Sequence, residues 1–238
     1  MPNPPRRSDQ LRDVQIQSGY IPSNPASVLY QSGNTIVLCT ASLDRSVPAW
    51  MAGKGKGWVT AEYNMLPGST SPRKPRDRGG KIDGRTTEIQ RLIGRSLRAI
   101  IDLNLLGENS ITVDCDVLQA DGGTRTAAIT GGFIALAKAV EIAIPGSRIG
   151  DGPIRDSVAA ISVGVVDDIV RLDLDYPLDV AADVDMNVVM TGNGKYVEIQ
   201  GTGEEATFDD TQLAELLRLA RLGIATLTQK QRDALAGT

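Results

Sequence analysis

Between Ser110 and Gln119 the chain alternates, with Ile111, Val113, Cys115 and Val117 on one side and Thr112, Asp114, Asp116 and Leu118 on the other. A period of two predicts a strand with one buried and one mostly polar face. Thr35–Ser42 has the β-branched content of a buried strand, and Trp58–Tyr63 reads as its neighbour across the glycine-rich turn 53–57. The period then changes: Ile89, Leu92, Ile93, Leu97, Ile100 and Ile101 recur every three or four residues, which predicts a helix capped by Asp83 or Thr86. Arg91, Arg95 and Arg98 share its other face. Ala127–Val140 is apolar all round and too long for a strand, as suits a buried helix ended before Pro145.

Further strands are predicted at Val158–Val166, Ile169–Asp175, Val184–Thr191 and Tyr196–Gln200, the last two joined at Gly192-Asn193-Gly194, a hairpin signal. A final amphipathic helix, about Thr211–Leu222, starts at Asp209 or Asp210 and is followed by a solvated tail. The first thirty residues, rich in Pro, Ser, Asn, Gln and Arg, read as a peripheral arm with at most one strand. Strands and helices do not alternate strictly enough for a doubly wound sheet, and no linker divides the chain after residue 84. The pattern therefore predicts a single α+β domain over residues 1–238, with mixed sheets and helices packed on one side of them.

Composition narrows the chemistry. Among 238 residues there is no histidine and there are only two cysteines, Cys39 and Cys115, each in a strand-like stretch and expected as a buried free thiol. Histidine-based triads, histidine general bases and His-containing metal sites are excluded, leaving carboxylate, arginine and backbone chemistry. The formal net charge of −4 excludes a uniformly basic coat for nucleic acid. No run approaches the ~18 apolar residues of a membrane span, and no apolar run follows the basic start, so a cytoplasmic protein without membrane attachment is expected.

The mild net charge conceals two poles. From Arg73 to Arg98 there are nine Lys or Arg against three acids; from Asp167 to Asp185 there are seven aspartates against Arg171 alone. The first pole begins in a Pro/Gly-broken basic loop at residues 67–84 that contains Arg73, Lys74, Arg76 and Arg78, and continues along the helix to Arg91. Loop and helix face together suit a phosphate backbone. Few aromatics accompany them, Tyr63 and Trp58 being the candidates for base stacking. In the second pole, short carboxylates without His or Cys are the ligand type of hard cations such as Mg²⁺ or Mn²⁺. Asp183 and Asp185 flank Val184 in a strand and share a face, and Asp179 on the preceding turn can fold back towards them. Solvated turn acids are the competing reading. Finally, Asp121-Gly122-Gly123-Thr124-Arg125-Thr126 precedes the apolar helix, combining backbone freedom, a hydroxyl and a guanidinium where helix N–H groups are unpaired. Asp83-Gly84-Arg85 puts a second arginine at a helix start.

Several long blocks carry a family resemblance: Gly55–Pro67, Gly84–Arg95, Asp114–Thr126, Leu172–Tyr176, Asp183–Met190 and Glu198–Thr202. Over about residues 9–230 the chain resembles the ribonuclease PH family of phosphate-dependent 3′-to-5′ exoribonucleases of tRNA maturation, related to polynucleotide phosphorylase and the exosome ring. The resemblance implies a fold like domain 2 of ribosomal protein S5. It also implies a phosphate site at Arg85, Gly123, Thr124 and Arg125, and a metal pair with catalytic roles at Asp179 and Asp185, taking Mg²⁺ or Mn²⁺. RNA binding is implied at Arg73, Lys74, Arg76 and Arg78. The expected substrates are tRNA precursors and other RNA 3′ ends with inorganic phosphate as co-substrate, and the expected assembly is a hexameric ring, a trimer of dimers. The chain departs from the family at Gly68, where relatives commonly carry a basic residue, and along its amino-terminal arm, although Arg12-Asp13-Val14 keeps the usual basic-then-valine pattern. The competing functions are a hydrolytic metal nuclease, which has no need for two phosphate-side arginines, and a non-catalytic RNA-binding ring subunit of exosome type, which is free to lose the aspartate pair.

Overall fold

The structure, a computed structural model, describes residues 6–76, 83–204 and 206–237. The described residues form two sheets. The first contains β1 (Val14–Ser18), β2 (Ser27–Ser32), β3 (Thr35–Asp44), β4 (Trp58–Met65) and β5 (Ser110–Gln119), in the order β1-β2-β3-β5-β4. The second contains β6 (Val158–Val166), β7 (Ile169–Leu172), β8 (Val184–Thr191) and β9 (Tyr196–Gly203), in the order β7-β6-β8-β9. The second sheet is wholly antiparallel, while β4 and β5 pair in parallel, so the first is mixed. The α-helices are α1 (Gly84–Arg98), α2 (Leu103–Leu106), α3 (Thr124–Ala143), α4 (Tyr176–Val180) and α5 (Asp210–Ala236).

Helix α3 is buried around most of its circumference because it has a sheet on each side: it contacts β2, β3 and β5 of one and β6 of the other. It is long and apolar enough to cross a membrane, contrary to the expectation that no segment approaches that limit, but it is a core helix, with 78% of its most apolar stretch buried. Its approach to the first sheet is set by Gly131, where a Cβ would lie 2.9 Å from the Tyr30 Cβ and 3.0 Å from the Cys39 sulfur. Helix α1 packs on β4, and α5 on β6, β7 and β8. The alternation of β5 is borne out residue by residue, with Ile111, Val113, Cys115 and Val117 buried. Cys39 and Cys115 are cross-strand partners, both buried and free.

Four sequence expectations are corrected. The amino-terminal segment is not peripheral: it supplies β1 and begins β2, and Arg12, Val14, Ala26 and Val28 are buried. Trp58–Met65 is not the neighbour of β3, because β5 inserts between them; a parallel crossover through α1 carries no signal in strand composition. The strand predicted for Ile169–Asp175 stops at Leu172, where Asp173 turns to φ 60°. The last helix runs fourteen residues beyond Leu222, to Ala236. Its polar Gln-Lys-Gln-Arg segment is not a solvated tail: Gln231 is fully buried and donates to the carbonyls of Thr130 and Val158.

Candidate active site

The two sheets and α3 meet at a cleft of about 680 Å³, lined by Arg85, Gly123, Thr124, Arg125, Asp179 and Asp185 together with Met65, Thr70–Pro72, Ser162, Tyr176, Asn187 and Glu204. All six residues assigned from the sequence to phosphate and metal thus border one space, although they come from α1, the start of α3, α4 and β8.

The phosphate side is built by helix starts. Helix α1 is capped by Asp83, whose carboxylate accepts from the Thr86 N–H (2.7 Å) and hydroxyl (2.9 Å) and from Lys74 Nζ (2.8 Å); Arg85 follows in the first turn. Those bonds hold the Asp83 pKa down at about 2, the contact with Lys74 first. Helix α3 begins at Thr124, so Thr124 and Arg125 are helical residues, not turn residues, and Gly123 is the N-cap at φ 64°. With glycine as the cap and no acid in the first turn, no side chain satisfies the free N–H groups there, the arrangement that favours an anion. Thr124 is fixed by a 2.8 Å hydrogen bond between its hydroxyl and that of Tyr63, a residue 2% exposed. The Arg125 guanidinium donates to Gln200 Oε1 at 3.0 Å and lies 3.4 Å from Glu88 Oε2, which aims it between β9 and α1.

The opposite wall carries the carboxylates. Asp175 caps α4 by accepting from the Leu178 N–H, and Asp179 projects one turn on. Asp185 lies early in β8, opposite Gly164 of β6. Although Asp179 reaches solvent, its carboxyl is crowded: desolvation first, then Asp185 and Glu204, raise its pKa above the usual carboxylate value, while Arg85 and Arg125 oppose the rise. The carboxylate pair and the arginine pair therefore lie within electrostatic reach of each other.

The two charge poles resolve into separate jobs. Asp167 and Asp168, both at positive φ, form the tight turn between β6 and β7. Asp173 is buried against Arg12, and Asp183 precedes β8 outside the cleft lining, so it does not join Asp185 there. On the basic side Lys74 is tied to Asp83, Arg95 to Glu198 at 2.9 Å, and Arg98 donates to the Val59 carbonyl while its guanidinium stacks over Trp58. Arg73, Arg76 and Arg91 are exposed, and Arg78 lies outside the described residues. Neither aromatic suggested for base stacking is available: Tyr63 is buried and Trp58 is covered by Arg98 and Trp50. The aromatic in the cleft is Tyr176, 62% exposed at the first position of α4, which the sequence reading passed over. Asn187 was also missed, although it lies two residues beyond Asp185, where strand alternation places it on the same face. Ser162, its cross-strand partner, gives no sequence signal inside a run buried on both faces.

Comparison with known proteins shows the family and the fold. The model of domain 1 of the 3′ exoribonuclease family matches residues 10–140, and that of domain 2 matches residues 156–222. The chain is 72% identical to a ribonuclease PH of Rhodopirellula baltica over 235 residues, 97% of this chain and 96% of that one. It is 53% identical to a ribonuclease PH of Neisseria meningitidis, over 97% and 96% of the two chains. Among solved structures it is similar in fold to a chain of the Archaeoglobus fulgidus exosome with RNA bound to the active site, with TM-score 0.76, 20% identity and coverage of 96% and 90%.

Proposed function

The chain belongs to the 3′ exoribonuclease family, and on that premise we infer that its cleft performs phosphate-dependent removal of nucleotides from RNA 3′ ends, in the processing of tRNA. The observation that carries this reading is the convergence on one cleft of two arginines and an uncapped helix start with an aspartate pair. A hydrolase activating water has no use for the first half of that arrangement.

Inorganic phosphate, held by Arg85, Arg125 and the first N–H groups of α3, attacks the phosphorus of the 3′-terminal phosphodiester. The new P–O bond forms as the bond to the 3′ oxygen of the preceding nucleotide breaks; that oxygen takes a proton, and a nucleoside diphosphate leaves. Because the nucleophile is the co-substrate, no histidine base or serine nucleophile is needed, and alignment with charge neutralisation carries most of the catalysis. A phosphodiester is exchanged for a phosphoanhydride of similar free energy, so the same residues add nucleotides when diphosphates are in excess.

Asp179 and Asp185 suit a hard divalent cation. Among the described residues no group of three or more His, Cys, Asp or Glu is arranged to hold a metal alone. Two carboxylates completed by water and substrate phosphate are, however, a usual Mg²⁺ environment. Bound there, Mg²⁺ or Mn²⁺ supplies Lewis-acid stabilisation of charge on the scissile phosphate and the departing oxygen. The exposure of Arg73 and Arg76 beside the Thr70–Pro72 rim supports the reading that they grip the RNA backbone. We assign tRNA precursors as substrate, a homo-hexameric ring as assembly and the cytoplasm as compartment on the same family premise. A non-catalytic ring subunit has no need of the aspartate and arginine sets retained here.

The test is incubation with a 3′-extended tRNA and Mg²⁺, with and without phosphate. Diphosphates released only with phosphate are expected; monophosphates released without it would establish a hydrolase, and no release in either condition a binding subunit.

A further inference from the structure

The phosphate side of the cleft is built by Arg85 of α1 and by Gly123 with the start of α3, whereas the carboxylates lie on α4 and β8, which belong with the second sheet. Each half is matched by a separate domain model of the family. Phosphorolysis requires the attacking oxygen to be aligned with the scissile bond, so the register between the halves matters.

At their junction lies a buried ion pair that no step above uses. Arg12 is 5% exposed and Asp173 is 2% exposed. Arg12 Nη2 donates to Asp173 Oδ1 at 2.7 Å, while its Nε (3.1 Å) and backbone N–H (2.8 Å) donate to Oδ2. The remaining nitrogen, Nη1, donates to the Asp121 carbonyl at 2.5 Å and to the Thr35 hydroxyl at 3.4 Å. That hydroxyl donates to the Gly122 carbonyl (2.7 Å) and accepts from the Asp121 N–H (3.0 Å), so both residues preceding Gly123 are held from beneath. On the other side the Asp173 N–H donates to the Ser162 carbonyl (2.7 Å) and the Leu174 N–H to the Ser162 hydroxyl (3.0 Å), anchoring the pair to β6 just before the chain enters α4. The Asp121 carboxylate also accepts from the Tyr176 N–H (3.3 Å). A Cβ on Gly122 would come within 2.6 Å of the Leu174 carbonyl oxygen, so the two backbones lie against each other.

Stability alone is a weak reason for this pair, since buried ion pairs are often replaceable by apolar side chains without loss, and Asp173 must also adopt φ 60° to make it. We propose that Arg12, paired with Asp173, is a positioning residue that fixes the Asp121–Gly123 turn relative to the carboxylate wall, and so holds phosphate in register with the scissile bond. The proposal rests on the phosphorolytic reading and goes beyond it, because neither residue lines the cleft.

Arg12→Lys separates positioning from folding. Lysine keeps a cation beside Asp173, but a single ammonium on a flexible stem cannot reproduce the planar fork that reaches Asp173 and the Asp121 carbonyl together. Phosphate binding is measured by calorimetric titration with inorganic phosphate, and turnover against phosphate and against RNA on the same samples. The expected result is a rise of about tenfold or more in both the phosphate dissociation constant and the phosphate KM, the RNA KM staying within about twofold. A purely structural role would lower the active fraction and the melting temperature while leaving both phosphate constants unchanged, and that outcome overturns the proposal. Should Arg12→Lys not fold, Asp173→Asn weakens the same pair from its other side, since asparagine tolerates φ 60° and keeps one acceptor for Arg12 but not the charge or the second acceptor. Phosphate affinity should again fall with the RNA KM kept, and an unchanged phosphate affinity in Asp173→Asn overturns the proposal. Wild-type protein that releases diphosphates while the variants bind phosphate normally removes the positioning role and leaves phosphorolysis standing; wild-type protein that binds no phosphate removes both.

Discussion

Arg125 offers the sharpest test of the phosphate site. Its guanidinium is mostly buried, 17% exposed, and one nitrogen is occupied by Gln200 and Glu88, which leaves the rest of the fork for an anion. Replacing it with alanine removes a charge-assisted hydrogen-bonding group from phosphate, a loss of about 2–3 kcal/mol. At 1.4 kcal/mol per tenfold, that is a rise of about 30- to 150-fold in the phosphate KM. Arg125→Lys should recover only part of this, since the point charge survives and the fork does not. The assay is the initial rate of nucleoside diphosphate release against phosphate concentration at saturating 3′-extended RNA, with RNA affinity followed by gel shift. Arg125 touches no RNA-gripping residue described above, so RNA affinity should hold within about threefold, less than the step of one neutral hydrogen bond. An unchanged phosphate KM, or RNA binding that falls as far as phosphate binding, would refute the reasoning.

Four further outcomes are expected. Asp185→Asn should reduce turnover by at least about a hundredfold with RNA binding retained, and comparable loss in both would move the role away from catalysis. The acid limb of kcat/KM should lie above the ordinary carboxylate range because Asp179 is needed ionised and its pKa is raised; Arg125→Ala, which deletes a cation that opposes the rise, should move the limb to still higher pH, and a shift to lower pH contradicts the assignment. Arg73→Ala with Arg76→Ala should reduce the salt-dependence slope of tRNA binding by about 1.4 to 1.8, from two lost phosphate contacts, and an unchanged slope places the RNA elsewhere. Asp83→Ala should destabilise the fold by about 1–2 kcal/mol at neutral pH. Since the folded pKa of Asp83 is depressed to about 2, the deficit should shrink as pH falls from about 4 towards 2, where the wild type loses the same interaction; chemical denaturation across that window measures it.

Local periodicity made the single elements legible. The alternation of Ile111 to Val117, the three-and-four spacing of Ile89 to Leu97 and the all-round apolar character of α3 each report the surface an element faces, and the structure keeps β5, β6 and β8 at their predicted limits. What sequence could not convey is which elements meet. The insertion of β5 between β3 and β4 depends on a crossover, and the burial of Arg12 depends on Asp173, a partner 161 residues away. Gln231 looks like a surface residue in any window of its neighbours; only the carbonyls of Thr130 and Val158 make it an interior one. The cleft was legible for a different reason: the family resemblance singled out Arg85, Arg125, Asp179 and Asp185, which local pattern alone left open between ligand chemistry and solvated turns, and the fold brings them to one space. Tyr176 had no such signal to announce it, for an exposed tyrosine in a turn acquires meaning only from what lies beside it.

Helix α5 sets the order in which the molecule can be completed. It covers β6 and β7, packs beside α3 and reaches the other end of the chain, where Lys230 Nζ donates to the Val14 carbonyl and the Ser18 hydroxyl to that of Ala234. A ribosome makes β6 well before residues 216–231 exist, so for several seconds at about 5–20 residues per second the nascent polypeptide carries a sheet covered by α3 alone, with the surface meant for α5 still open. During that interval Ile161 and Leu172, both buried in the finished molecule, are offered to whatever is near, a chaperone or another unfinished copy. The second sheet is therefore the part of the molecule that must wait longest for its partner, and it is finished only when the last helix has been made.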